Sequence, residues 1–198
     1  MPQNVTPLGQ LAWSYIVEPR ENLSGKLEWS CGFEIAEEDA QPIFAAIEEA
    51  IAEKRANDAS YPKTNKDLNL PFSQAKKKLE DGSYEMVPGR LTFKFKRNTQ
   101  YKGRNGEVQK NNPPALYDSQ GRLCTGEVAR VNPGSKGKIV YDVYCYNMAT
   151  TKGVQLQMRG FQIVEMSASQ ELVLPPVEGG WVPEGNEEAI DVASLLQG

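Results

Sequence analysis

Apolar and polar residues alternate along much of this chain. Residues 10–17 set Leu11, Trp13, Tyr15 and Val17 at every second position, and residues 26–35 do the same with Leu27, Trp29, Cys31, Phe33 and Ile35. A period of two is that of a strand with one buried side. The two stretches therefore predict a hairpin across turn residues 19–25. Trp29 and Phe33 are read as core, whereas Trp13 divides evenly between core and an exposed stacking platform.

The period then changes. Glu37, Glu38 and Asp39 suit the positive end of a helix dipole, Pro42 suits a first turn, and Ile43, Phe44, Ile47, Ala50 and Ile51 recur at helical spacing before Lys54 and Arg55. Residues 57–88 have a weaker pattern. Ser73 is a fitting N-cap for a short helix ending at Glu80, ahead of Asp81 and Gly82, which would expose Lys76, Lys77 and Lys78. From 90 to 165 the alternation returns in at least five short strands with turn signals between them, the signature of a barrel or sandwich.

The segment 89–106 is the most informative. Leu91, Phe93, Phe95 and Arg97 fall on one side of a strand, and Thr92, Lys94, Lys96 and Asn98 on the other. The phenylalanines are assigned to the core because they oppose the lysines. Beyond them a polar loop carries Tyr101, Lys102 and Arg104. Residues 138–148 repeat the theme: Ile139, Tyr141, Val143 and Cys145 share one face, which leaves Tyr144 and Tyr146 on the other.

Charge sharpens this picture. The net charge of the 198 residues is −4, but residues 59–159 carry 18 basic and 8 acidic side chains between two acidic flanks. Such asymmetry favours a polyanionic partner. The chain has no histidine, which removes the commonest general base and metal ligand. It has no phosphate-loop or nucleophile-elbow motif, and Asp118, Glu127 and Asp142 stand singly, so neither an enzyme nor a metal or cofactor is expected. Cys31, Cys124 and Cys145 lack paired spacing, which predicts reduced, buried thiols in a cytoplasmic setting. The N-terminus shows no signal-peptide pattern and no apolar run long enough to span a membrane.

Binding of unpaired nucleic acid needs a cationic groove for the backbone and exposed aromatic rings for the bases. Candidates for the first are Lys94, Lys96, Lys102, Arg104, Lys110, Lys152 and Arg159; candidates for the second are Tyr101, Tyr144 and Tyr146.

Four motifs carry a family resemblance: Arg90-Leu-Thr-Phe-Lys-Phe-Lys-Arg97; Pro113-Pro-Ala-Leu-Tyr-Asp118 with Gly121; Gly134-Ser-Lys-Gly137 leading into Lys138-Ile-Val-Tyr-Asp-Val-Tyr-Cys-Tyr146; and Gly153-Val-Gln-Leu-Gln-Met-Arg-Gly-Phe-Gln-Ile163. With these the chain resembles the single-stranded DNA-binding, helix-destabilising proteins of tailed bacteriophages. The resemblance implies a mainly β fold, a five-stranded OB-type barrel elaborated by one main helix and long loops, over residues 1–166. It also implies an acidic tail over 167–198, in which Glu187, Glu188 and Asp191 would contact replication or recombination proteins. The implied role is non-catalytic coating of single-stranded DNA during phage replication, recombination or repair in the host cytoplasm, with a homodimer left open. The tail departs from the family pattern by ending Leu195-Leu-Gln-Gly198 rather than on an aromatic. The competing reading is a structural or adaptor OB domain of a phage assembly that does not bind DNA.

Overall fold

The computed structural model describes residues 4–168 apart from Arg104, Gly126, Glu127 and Ala129. The chain divides after Ala168. Its first part is mainly β with one long helix. In chain order the elements are β1 (Asn4–Val5), β2 (Gly9–Glu21), β3 (Leu27–Ala36), α1 (Gln41–Asn57), β4 (Phe72–Lys78), β5 (Tyr84–Asn98), β6 (Gln100–Lys102), β7 (Val108–Lys110), β8 (Ala115–Tyr117), β9 (Lys136–Asn147) and β10 (Lys152–Glu165).

Pairing runs β9–β2–β3–β5–β10 and returns to β9. All contacts in this circuit are antiparallel except the parallel β5–β10 pair. The inner face holds Leu11, Ile16, Phe33, Phe93, Phe95 and Phe161, each almost fully buried. Phe33 meets Phe95 and Phe161 edge to face at 6.1 and 6.4 Å, a geometry that suits the ring quadrupoles. Ile43, Ile47 and Ile51 bury one stripe of α1 in the same core. A turn of 3-10 helix, Glu37–Ala40, leads into α1 and carries the three acids. Their role as first-turn chemistry accounts for them.

The structure changes three expectations. The alternation predicted for β2 slips at Ala12, because Leu11 pairs with Phe33 but Trp13 pairs with the very next residue, Gly32. This β-bulge keeps Leu11 inside while it turns Trp13 and Tyr15 to the outer face, and Ile16 takes the inner position instead. The short helix predicted from Ser73 to Glu80 is strand β4, paired with β5 across Lys76–Met86, Lys77–Glu85 and Lys78–Tyr84. Asp81 and Gly82 form a hairpin turn rather than a helix stop. Gly82 takes the left-handed conformation at φ 85°, and the Asp81 carboxylate accepts bonds from the Ser83 amide and hydroxyl. Finally, the strand expected through Leu123 and Cys124 reduces to a single bridge between Tyr117 and Leu123. Cys31 is buried, and burial pushes its thiol far above the ordinary range; Cys124 and Cys145 are only half-buried, and all three are free.

Candidate nucleic-acid interface

The outer face of the curved sheet carries two of the predicted basic residues, Lys94 and Lys96, in its middle. Lys94 pairs with Gly32, which pairs with Trp13; Lys96 pairs with Ser30, which pairs with Tyr15. In the other direction Lys96 lies beside Gln157 of β10, and Gln157 beside Asp142 of β9, with Gln155 beside Tyr144 one step along. From β2 to β9 this surface spans four interstrand steps, about 19 Å. Lysines thus occupy its middle and aromatic rings its two ends. Phe93 and Phe95, from the same strand as the lysines, point inward and are buried.

At the β2 end a cleft is lined by Trp13, Tyr15, Arg20, Glu28, Ser30, Lys94 and Lys96, among others. The Trp13 and Tyr15 rings lie 6.0 Å apart. Arg20 stacks over the Tyr15 ring at 5.1 Å and donates to its hydroxyl oxygen, which fixes the phenol ring while leaving the guanidinium charge at the rim. The indole rests directly on the backbone of Gly32. A Cβ at that position would come within 2.8 Å of two indole carbons, so only glycine leaves room for the ring. Glu21 and Glu28 introduce two acids, and Glu28 is held by the Asn22 amide at 3.0 Å.

At the opposite end a second cleft is lined by Arg97, Asn98, Tyr101, Asn111, Tyr144, Gln155, Gln157 and Arg159. Tyr101 and Tyr144 expose 47% and 52% of their surface. Tyr101 stands on the small β6–β7 ribbon, and its hydroxyl donates to the Gln109 side-chain oxygen. Lys102 and Lys110 are exposed on the same ribbon. Among the described residues, Lys94, Lys96, Lys102 and Lys110 form no ion pair, whereas Arg159 is paired with Asp142 at 2.5 Å.

Two predicted residues sit elsewhere. Lys152, at the turn between β9 and β10, donates to the Ser60 carbonyl at 2.9 Å. Tyr146 shares the outer face with Tyr144 but is half-buried over Gly153, whose Cβ would fall 2.7 Å from the Tyr146 hydroxyl. Both belong to the seam between this hairpin and the loop after α1. There Asn147 and the Ser60 hydroxyl donate to Asp58, and these bonds, with Lys54, hold its carboxyl well below the usual range. Arg104, Glu187, Glu188 and Asp191 lie outside the described residues.

The carboxylates offer little for chemistry. Asp118 accepts from the Arg122 and Gln120 backbone amides and from the Arg122 side chain, contacts that lower its pKa and mark it as a turn residue. Asp142 is the partner of Arg159. Glu127 lies outside the described residues, among which no acidic or cysteine cluster could hold a metal.

Residues 20–166 match the family model described as single-stranded DNA-binding protein of bacteriophage T7. The chain belongs to this family. Its fold is similar to that of gp2.5, a single-stranded DNA-binding protein encoded by bacteriophage T7, with a TM-score of 0.60 and 22% identity over 89% of this chain and 99% of that one. It is also similar to the single-stranded DNA-binding protein of bacteriophage Enc34 in complex with ssDNA, with a TM-score of 0.59 and 10% identity over 84% and 88%. At these identities the structural likeness speaks to the fold. No curated relative matches the sequence.

Proposed function

We propose that this family member is a non-catalytic protein that binds and coats single-stranded DNA during phage replication, recombination or repair, acting in the cytoplasm of the infected host. The five-strand pairing circuit is read as an OB-type barrel, and the outer face of β2, β3, β5, β10 and β9 as its DNA groove. One observation carries this reading: Lys94 and Lys96, which form no ion pair among the described residues, lie in the middle of that face, with the half-buried Trp13 and Tyr15 rings at one end and the exposed Tyr144 ring at the other. The lysines neutralise phosphates regardless of sequence, and the rings stack on whichever bases they meet. A purely structural or adaptor domain has no need of unpaired cations flanked by solvent-facing rings. Lys94, Lys96, Lys102 and Lys110 take the backbone, and Trp13, Tyr15, Tyr101 and Tyr144 the bases. Arg104, two residues after Lys102 in the sequence, is assigned to the backbone as well.

The double variant Lys94→Ala/Lys96→Ala tests the reading. Each lost phosphate contact reduces the slope of log affinity against log salt by about 0.7 for a single strand, so the pair is expected to remove about 1.4. Fluorescence anisotropy of a labelled oligothymidine across a salt series measures this. An unchanged slope would show that neither lysine touches phosphate.

Residues 167–198 carry six acids and no base. In this reading they form a tail separate from the 1–166 domain, and Glu187, Glu188 and Asp191 both compete with DNA for the groove and present a contact for replication or recombination proteins. Removing residues 184–198 is expected to tighten DNA binding at low salt. Equal affinity with and without the segment would rule the competition out.

A further inference from the structure

The cleft between Tyr101 and Tyr144 contains a charge arrangement that base stacking alone does not require. Two arginines line it, and each is anchored to the protein through its Nε. Arg97 donates from Nε to the Asn112 carbonyl at 2.9 Å, and Arg159 donates from Nε to Asp142 Oδ2 at 2.5 Å. Among the described residues, no protein acceptor takes a hydrogen bond from the terminal nitrogens of either guanidinium. A guanidinium held at one edge keeps its other donors in a fixed plane, so less conformational freedom is lost when they bind an oxyanion.

Two features of the strands bring these side chains together. Arg159 is the extra residue of a β-bulge: Met158 pairs with Tyr141 and Gly160 with Val140, so Arg159 has no partner opposite it. A bulge re-aims the side chain it carries. Arg97 pairs with Trp29 at the end of β5, where the strand leaves the buried core. The two like charges feel each other: burial first, and then the charge of Arg159, push the Arg97 guanidinium below the usual arginine range, while Asp142 pulls the other way. One carboxylate serves two cations, and the cleft is left with a net positive charge.

We propose that Arg97 and Arg159 form a two-guanidinium seat for one backbone phosphate of the bound strand, and that Asp142 is a positioning residue that holds Arg159 in it. This rests on the single-stranded DNA-binding reading above. The seat fixes the phosphate between a base stacked on Tyr101 and one stacked on Tyr144, and it sets the register of the strand at this end of the groove.

The test titrates the full-length protein and its variants with a labelled oligothymidine at two salt concentrations, with thermal melting to confirm folding. Arg97→Met is expected to weaken binding about tenfold or more and to reduce the salt slope by about 0.7, whereas a control, Lys63→Met, changes little. Arg97→Lys keeps the charge but loses the Nε anchor, and is expected to recover only part of the affinity. Asp142 gives the sharper result. Removing a negative charge from a DNA groove should on general electrostatic grounds tighten binding. If Asp142 positions Arg159, Asp142→Ala instead weakens binding by about threefold at low salt, and Asp142→Asn, which keeps an acceptor oxygen, does not. Tighter binding by Asp142→Ala would overturn the positioning role, and an Arg97→Met titration equal to the Lys63→Met control would overturn the seat. If the wild-type protein fails to bind the oligonucleotide at low salt, the functional reading itself fails, which separates the two conclusions.

Discussion

Replacing Trp13 by alanine is expected to weaken single-strand binding by about tenfold to a hundredfold while leaving the protein folded. Stacking of a base on an aromatic ring contributes about 1–3 kcal/mol, and each 1.4 kcal/mol is about a factor of ten in affinity. Trp13 is placed for this role by two local features: the bulge at Ala12 that turns it outward, and the missing side chain at Gly32 that lets the indole lie flat on β3. It belongs to the outer face and not to the buried cluster, so truncating it opens no core cavity. Fluorescence provides a second readout. Trp29 is buried and donates to the Val17 carbonyl, so quenching on DNA addition among the described tryptophans should come from Trp13 and vanish in the variant. Gly32→Ala should act in the same direction, because its Cβ displaces the indole. If Trp13→Ala binds within about twofold of wild type, the ring is not a stacking platform and the groove reading loses its β2 end.

Much of this surface is legible in the sequence, and the parts that are not have identifiable causes. The alternation in 91–97 separates the core phenylalanines from the groove lysines because that half of β5 pairs with β3 without a register shift. Tyr144 is legible for the same reason, since β9 keeps its alternation from Ile139 to Tyr144. Tyr15 escapes a reading by alternation because one inserted residue inverts the side chains that follow it, and nothing in Leu11-Ala-Trp13 announces the insertion. Arg20 lies beyond a second irregularity, since Tyr15 pairs with Ser30 but Arg20 with Glu28. Only Gly32, a glycine in the interior of β3, signals a close approach from its neighbour. Parity assigns Arg97 to the inner face. It does pair with the buried Trp29, but at the end of the strand, where its half-buried side chain lines the same cleft as Arg159. Lys76, Lys77 and Lys78 mimic a helix face because lysine favours helix and Ser73 suits a cap. Pairing with β5 overrides that local preference, and the Asp81-Gly82 turn makes the pairing possible. Lys152 fits the charge pattern but is drawn away by a carbonyl in the loop after α1, a contact between residues 92 positions apart. No spacing rule could reveal it.

The largest expected effect on stability comes from Gly137, where alanine should cost about 3 kcal/mol or more. Gly137 sits at the start of β9, opposite Ile163 and beside Gly9 of β2, where three strands of the circuit meet. A Cβ there would overlap the Gln162 carbonyl oxygen and come within 2.5 Å of Phe161 Cζ. The carbonyl is backbone held in the β9–β10 ladder, and Phe161 is fully buried in the core, so neither can step aside cheaply. Relief requires the two strands to separate or shift register, and the same two strands carry Asp142, Tyr144, Gln155, Gln157 and Arg159. For a chain of this size such a loss corresponds to a fall in melting temperature of about 6–12 °C. Below that lowered transition, single-strand affinity should also drop, because the outer-face row depends on the register that the clash disturbs. Thermal melting followed by circular dichroism, with anisotropy titrations in the folded range, measures both. A variant that melts within about 2 °C of wild type would mean that β9 and β10 are not packed as closely as their pairing implies, and that the β9 end of the groove is not fixed by the core beneath it.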